Sequence, residues 1–204
     1  MSEVLELHPK NPQIRFVRMA VDVLQDHGVI VYPTDSCYAL GCLLGAKDAA
    51  ERIQRIRQTD KHHFFTLVCR DLSEIARYAR VDNPRYRLLK AFTPGPYTFV
   101  LEATREVPRR LMNEKRRTVG IRVPEHPVVH MLLEELGEPL MSTTLLLPGD
   151  ALPITDASEV AHRIGHAVDL VLDGGNCGLE PTTVVDLAGP VPTDPSVVNP
   201  LPQT

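Results

Sequence analysis

The chain has 204 residues, 43% of them hydrophobic and 24% charged, with a formal net charge of −4. This is the composition of an ordinary globular domain, and it excludes overall electrostatic attraction to nucleic acid or to an anionic membrane. No apolar run reaches the roughly 18 residues that span a bilayer, and residues 1–6 lack the basic and apolar regions of a secretory leader, so a cytoplasmic, membrane-free protein is expected.

In chain order, Ile14, Val17, Val21 and Leu24 recur at helical spacing and predict an amphipathic helix ending near Gly28. Residues 28–32 read as a buried strand that stops at Pro33-Thr34-Asp35-Ser36, small polar groups suited to the mouth of a binding crevice. A second helix is expected over about 46–58, a strand over 64–69, a helix opened by Asp71 and a strand over 97–103. In 118–123 the alternation sends Val119, Ile121 and Val123 to the core, while Thr118 and Arg122 emerge together on the other face. Pro127 starts a helix carrying Val128, Met131, Leu132 and Leu136. Strands around 141–147, 168–172 and 183–187, a helix over 157–164 and a turn at Gly174-Gly175 complete the pattern. The irregular alternation predicts an α/β fold, a single domain over 1–189 with a twisted, mixed open sheet and flanking helices. The proline-rich stretch 190–204 reads as an extended tail.

The four cysteines, Cys37, Cys42, Cys69 and Cys177, have no metal-ligand spacing and are expected to be reduced thiols. His126 with His130, and His162 with His166, are spaced four apart without the intervening glutamate of a zinc protease, and are expected to be surface or boundary residues. No phosphate-cradling glycine loop and no dinucleotide fingerprint is present. Cys37 has no base near it in sequence to make it a nucleophile. Chemistry would therefore rest on positioning and electrostatics, with hydroxyls and arginines around an anionic substrate. Arginines and lysines cluster in two places, Arg105, Arg109, Arg110, Lys115, Arg116, Arg117 and Arg122, and Arg52, Arg55, Arg57 and Lys61. Each cluster reads either as a local basic surface or as solvated side chains on an acidic molecule.

Four segments in order resemble the YrdC-like superfamily, which includes the threonylcarbamoyl-AMP synthases of tRNA modification. They are residues 32–41 around Pro33-Thr34-Asp35-Ser36, then Thr93-Pro94-Gly95-Pro96-Tyr97-Thr98, Val119-Gly120-Ile121-Arg122-Val123-Pro124 and Thr182-Thr183-Val184-Val185-Asp186-Leu187. Arg55-Ile56-Arg57-Gln58, Cys69-Arg70-Asp71-Leu72 and residues 106–111 are most similar to its YciO branch. The resemblance implies the YrdC-like fold and a nucleotidyltransferase reaction. L-threonine, bicarbonate and ATP, with magnesium, would give threonylcarbamoyl-AMP and pyrophosphate, with no covalent enzyme intermediate and no tightly bound cofactor.

By the same resemblance Ser36, Arg122, Thr144 and Thr182 would bind substrate, and Arg57, Lys61 and Thr118 the nucleotide. Arg122 suits a carboxylate because its planar fork binds one bidentately. Departures fall on the phosphate side. The family's Lys-x-Arg motif reads here Arg57-Gln58-Thr59, and its Ser-x-Asn motif reads Thr144-Leu145-Leu146. A leucine offers no donor and no metal ligand, so synthesis is expected to be weak. Two alternatives stand beside it. One is an RNA-binding protein (double-stranded RNA, tRNA or rRNA) without catalysis, using Arg109, Arg110, Lys115, Arg116 and Arg117. The other is the same pocket acting on a different carbamoylated or adenylated molecule.

Overall fold

Among the residues that the computed structural model describes, 2–59, 65–113 and 115–189, nine strands hydrogen-bond into one mixed sheet flanked by six α-helices. The order along the chain is β1 (Glu3–Glu6), α1 (Ile14–Gln25), β2 (Ile30–Tyr32), β3 (Ala39–Leu43), α2 (Lys47–Arg57) and β4 (Thr66–Val68). It continues with α3 (Leu72–Tyr78), α4 (Asn83–Phe92), β5 (Tyr97–Glu102), β6 (Thr118–Arg122) and α5 (Pro127–Leu136). The last elements are β7 (Leu140–Thr144), α6 (Ala157–Ile164), β8 (Leu170–Asp173) and β9 (Thr183–Asp186). The expected α/β architecture is therefore observed. Lys61 and the expected tail, 190–204, lie outside the described residues.

Local chemistry sets the helix starts. The carboxylates of Asp71, Asp82 and Asp156 each accept the backbone N–H three residues on, which opens α3, α4 and α6. His126 caps α5 in the same way, its Nδ1 accepting from the Val128 N–H at 3.2 Å. In α1, Val17, Ala20, Val21 and Leu24 form the buried stripe, and the helix packs against α5. Ile14, expected on that stripe, is instead exposed at the first turn. Three elements have no counterpart in the sequence reading: β1, β3 and α4.

Across the sheet the strands run β1-β8-β2-β3-β7-β4-β6-β5-β9. The β6 register explains its alternation. Val119 and Ile121 sit beside Leu101, Phe99 and Leu67 and are fully enclosed. Thr118, Gly120 and Arg122 point to the other face, where Gly120 lies beside Thr66, Thr66 beside Ser142, and Ser142 beside Gly41. This face is a row of small and hydroxyl side chains. Gly41 leaves space for the Tyr32 ring, since a Cβ there would stand 2.8 Å from the Tyr32 ring, and the Tyr32 hydroxyl reaches across to Ser142 Oγ at 2.6 Å.

The same register shows how far the sheet curls. Arg122 pairs with Val68, Val68 with Leu140, and Leu140 with Leu43 at the end of β3. Asp35 and Ser36 follow β2 at the opposite end, beyond the Tyr32–Ala39 pair. On a flat sheet those two places would be about 13 Å apart along the strands and about 19 Å across four strand spacings. Yet Arg122 Nη1 donates to Ser36 Oγ at 3.3 Å. Twist of about 20–25° per strand, accumulated from β2 to β6, swings these two diagonal corners together. The candidate site is the place where they meet.

Candidate functional site

The turn after β2 is held by one hydroxyl. Thr34 Oγ1 accepts from the backbone N–H groups of Ser36 and Cys37, both at 3.2 Å, and donates to the Cys37 carbonyl at 2.7 Å. This fixes Asp35 and Ser36 facing the end of β6. The Asp35 carboxylate ion-pairs with Arg122 Nη2 through Oδ1, and through Oδ2 accepts the Glu125 N–H at 2.8 Å. Both side chains of the pair are about nine-tenths buried. Arg122 Nε is also buried and has no hydrogen-bond partner among the described residues.

A second guanidinium stands nearby. Arg57, the last residue of α2, donates from Nη1 to Thr143 Oγ1 at 3.0 Å and to the Thr144 carbonyl at the end of β7. Its Nε is likewise buried without a partner among the described residues, and burial lowers its pKa. Cys37 lies between the two groups. Burial pushes its thiol up, while Ser36, Arg122 and Thr144 pull it back. Beneath Arg122, burial holds the Tyr32 hydroxyl up at about 12, with the Ser142 hydrogen bond and the Arg122 charge acting in the lowering direction. The enclosed thiol and phenol are neutral at ordinary pH, so the charge here belongs to Arg57, Arg122 and Asp35.

Beside this cluster is a cleft of about 670 Å³. Its walls are Asp35 and Ser36 after β2, Pro96 and Thr183 at the starts of β5 and β9, and Thr155 with residues 176–181 between β8 and β9. The β8–β9 connection is pinned where it leaves the sheet. The Tyr38 hydroxyl donates to the Gly175 carbonyl at 2.7 Å, and Gly175 turns the chain at φ +88°. A Cβ on Gly174 would fall 2.6 Å from the Pro33 ring, so the two loops touch only because a glycine stands there.

The structure therefore brings Ser36, Arg122, Arg57 and Thr144 together around Cys37. Thr182 stands apart from this group, next to the cleft residues Pro181 and Thr183, its hydroxyl 3.0 Å from Thr98 Oγ1 on β5. Thr118 lies on the Arg122 face of β6 but at its other end, buried. Leu146 is half-buried and its backbone turns back onto the Thr144 carbonyl, so no side-chain donor replaces the expected asparagine there. Thr59 Oγ1 is buried without a partner among the described residues.

Arg109, Arg110, Lys115, Arg116 and Arg117 are exposed on the β5–β6 connection, which includes a single 3-10 turn, Arg109–Leu111. Of these, Arg116 is tied to Asp186 at 2.6 Å, and Arg122 is buried apart from the group. The sequence reading passed over Asp35, Thr143 and Thr98 as site residues. Asp35 and Thr98 stand inside motifs quoted above, whereas nothing in the sequence marks Thr143, which is placed by strand register.

Fold and site together define an α/β protein whose curled sheet carries a cleft beside two half-satisfied guanidiniums. The chain belongs to the Sua5–YciO–YrdC family, described as "Telomere recombination", whose pattern matches residues 22–197. Its sequence is 53% identical to YciO of Escherichia coli (strain K12) over 192 residues, 94% of this chain and 93% of that one. The E. coli YciO crystal structure superposes with a TM-score of 0.89, covering 93% of this chain and 92% of that chain. More distantly, the threonylcarbamoyl-AMP synthase of Halorhodospira halophila is 32% identical over 172 residues, 83% of this chain and 89% of that one. The crystal structure of P. abyssi Sua5 complexed with L-threonine shares the fold at a TM-score of 0.84 and 23% identity, over 92% of this chain and 55% of that one.

Proposed function

We propose that the protein binds the carboxylate of a small amino acid at Arg122 and is an L-threonylcarbamoyladenylate synthase of low activity. The observation that carries this reading is the buried Arg122 whose Nε has no partner among the described residues, beside the Ser36 hydroxyl and next to an open cleft. An unsatisfied buried donor costs about 1–3 kcal/mol, and a ligand carboxylate accepting from Nε would remove that cost. Threonine complexed with the related Sua5, and the synthase activity named for relatives near 30% identity, supply the ligand class.

In this reading Ser36, Thr144 and Thr182 orient the amino acid. Its N-carboxylated form, made with bicarbonate, attacks the α-phosphorus of ATP, and pyrophosphate leaves. Arg57 and Thr118, with Lys61, would face the nucleotide. The Leu146 side chain offers no oxygen to a cation, and the described residues hold no group of three His, Cys, Asp or Glu side chains that could bind a metal. Magnesium in this reading therefore arrives on the triphosphate, and no step is assigned to a protein-held ion. Loss of one positioned donor costs about 10²- to 10³-fold in rate, which is why Thr59 and Leu146 imply slow synthesis.

The test is threonine-dependent release of pyrophosphate from ATP in bicarbonate buffer. Native protein should produce it, and Arg122→Ala should lose at least a hundredfold, with Arg122→Lys as the control for folding. No pyrophosphate and no threonine binding by calorimetry would sink the reading.

A second reading, RNA binding through the β5–β6 connection, is favoured by one observation. Arg109, Arg110, Lys115 and Arg117 are exposed and form no ion pair among the described residues. Phosphate contacts would make such binding fall steeply with salt.

A further inference from the structure

Asp35 places a carboxylate against the guanidinium that the reading above assigns to a ligand carboxylate. It uses both oxygens, one on Arg122 Nη2 and one on the Glu125 N–H, so it ties the turn after β2 to the chain leaving β6. Without it, the Arg122 guanidinium would keep a single partner among the described residues, the Ser36 hydroxyl at 3.3 Å. A buried guanidinium with one neutral partner is free to rotate toward whatever acceptor it finds, so the direction of its unpartnered Nε depends on the ion pair. Asp35 also sets the charge. Among the described residues the cluster holds two guanidiniums, Arg57 and Arg122, and one carboxylate, a net charge of one positive.

The adjoining cleft reinforces this balance. Among the described residues its lining includes the carboxylates of Asp35 and Glu180, the hydroxyls of Ser36, Thr155 and Thr183 and the Asn176 amide, and no lysine or arginine. A ligand held by one carboxylate on Arg122 can extend a neutral or hydroxyl-bearing group into that space. A second carboxylate there would face Asp35 and Glu180, with no cation among the described lining residues to meet it, and like charges in a partly desolvated site repel.

We propose that Asp35 is a positioning residue that aims Arg122, and that with Glu180 it keeps a second carboxylate out of the adjoining cleft, so that an amino acid with an acidic side chain is rejected. The proposal rests on the amino-acid reading above for its ligand, but its first half is a property of the empty protein.

Two measurements on the full chain test it, with Asp35→Asn keeping the shape and removing the charge. In ¹⁵N-arginine-labelled protein without ligand, the Arg122 Nε–H signal, assigned by its loss in Arg122→Lys, should be ordered. Asp35→Asn should shift it and raise its solvent exchange at least tenfold, while thermal unfolding still shows a folded protein. An unchanged signal overturns the aiming role. Calorimetry should then show native protein binding L-threonine and rejecting L-aspartate, and Asp35→Asn should narrow the threonine-to-aspartate affinity ratio at least tenfold. A merely structural role would weaken both amino acids together and leave the ratio fixed, which overturns the restriction. Where the native protein binds neither amino acid, the carboxylate reading of the site fails and the restriction falls with it. The Nε–H measurement then still decides the aiming role.

Discussion

Tyr32 shows how single residues build the floor of the site. Its ring crosses the sheet over Gly41 to reach Ser142, and Ser142 in turn contacts the Leu40 carbonyl at 3.1 Å. A methyl at position 41 has nowhere to go, so Gly41→Ala should cost about 1–3 kcal/mol as overpacking, read as a lower denaturant midpoint at unchanged m. Tyr32→Phe keeps the ring and removes one buried hydrogen bond. It should cost about 0.5–1.5 kcal/mol, because Ser142 retains its carbonyl partner. Together the pair separates the volume of this position from its polarity.

At the scale of elements, the helix caps carry the pH dependence. His126 caps α5 only while Nδ1 is unprotonated, and burial lowers its pKa from an ordinary 6.5, against the opposing pull of Asp35. The unfolded chain therefore takes up the proton first. This contribution is complete above about pH 6.5 and is lost as pH falls from there toward the lower folded value. Denaturant midpoints at pH 7.5 and 5.5 should differ less in His126→Asn, which caps without titrating, than in the native protein. Asp71→Ala should cost about 1 kcal/mol through the lost cap of α3. These elements were legible where their chemistry is local. The α1 stripe, the Asp71 cap, Pro127 at the head of α5 and the alternation of β6 all follow from residues within a turn or a strand of one another. The strand β3 was not legible, because five consecutive buried residues with Gly41 in the middle show no alternation and sat inside a motif read for its polar end. Likewise β1 offers only Val4 and Leu5 between glutamates. The α4 start was marked by Asp82 and Pro84, but only Leu89 on that helix is fully buried, so its periodicity was faint. Of the site, Ser36 and Arg122 could be read from segments that carry the family pattern. Their joining through Asp35 could not, since it depends on the accumulated twist of strands far apart in sequence.

For the whole molecule, a net charge of −4 and an exposed basic connection predict opposite responses to RNA. If that connection binds phosphate, replacing Arg109, Arg110 and Lys115 by alanine should lower the salt slope of binding by about one per cation removed, as read by titration at several salt concentrations. An unchanged slope would place any RNA contact elsewhere. The sheet that carries this connection runs through the middle of the described structure, where no helix is long and apolar enough to cross a membrane. Its curl has a kinetic side as well. The contacts that close the site join residues separated by 86, 87 and 84 positions, in Arg57–Thr143, Asp35–Arg122 and Thr98–Thr182. Chain loops of that length close late, after local helices and hairpins have formed. On a ribosome, the cleft cannot be complete until the strand carrying Thr183 has emerged, so a nascent or truncated chain would lack it however well its first half had folded.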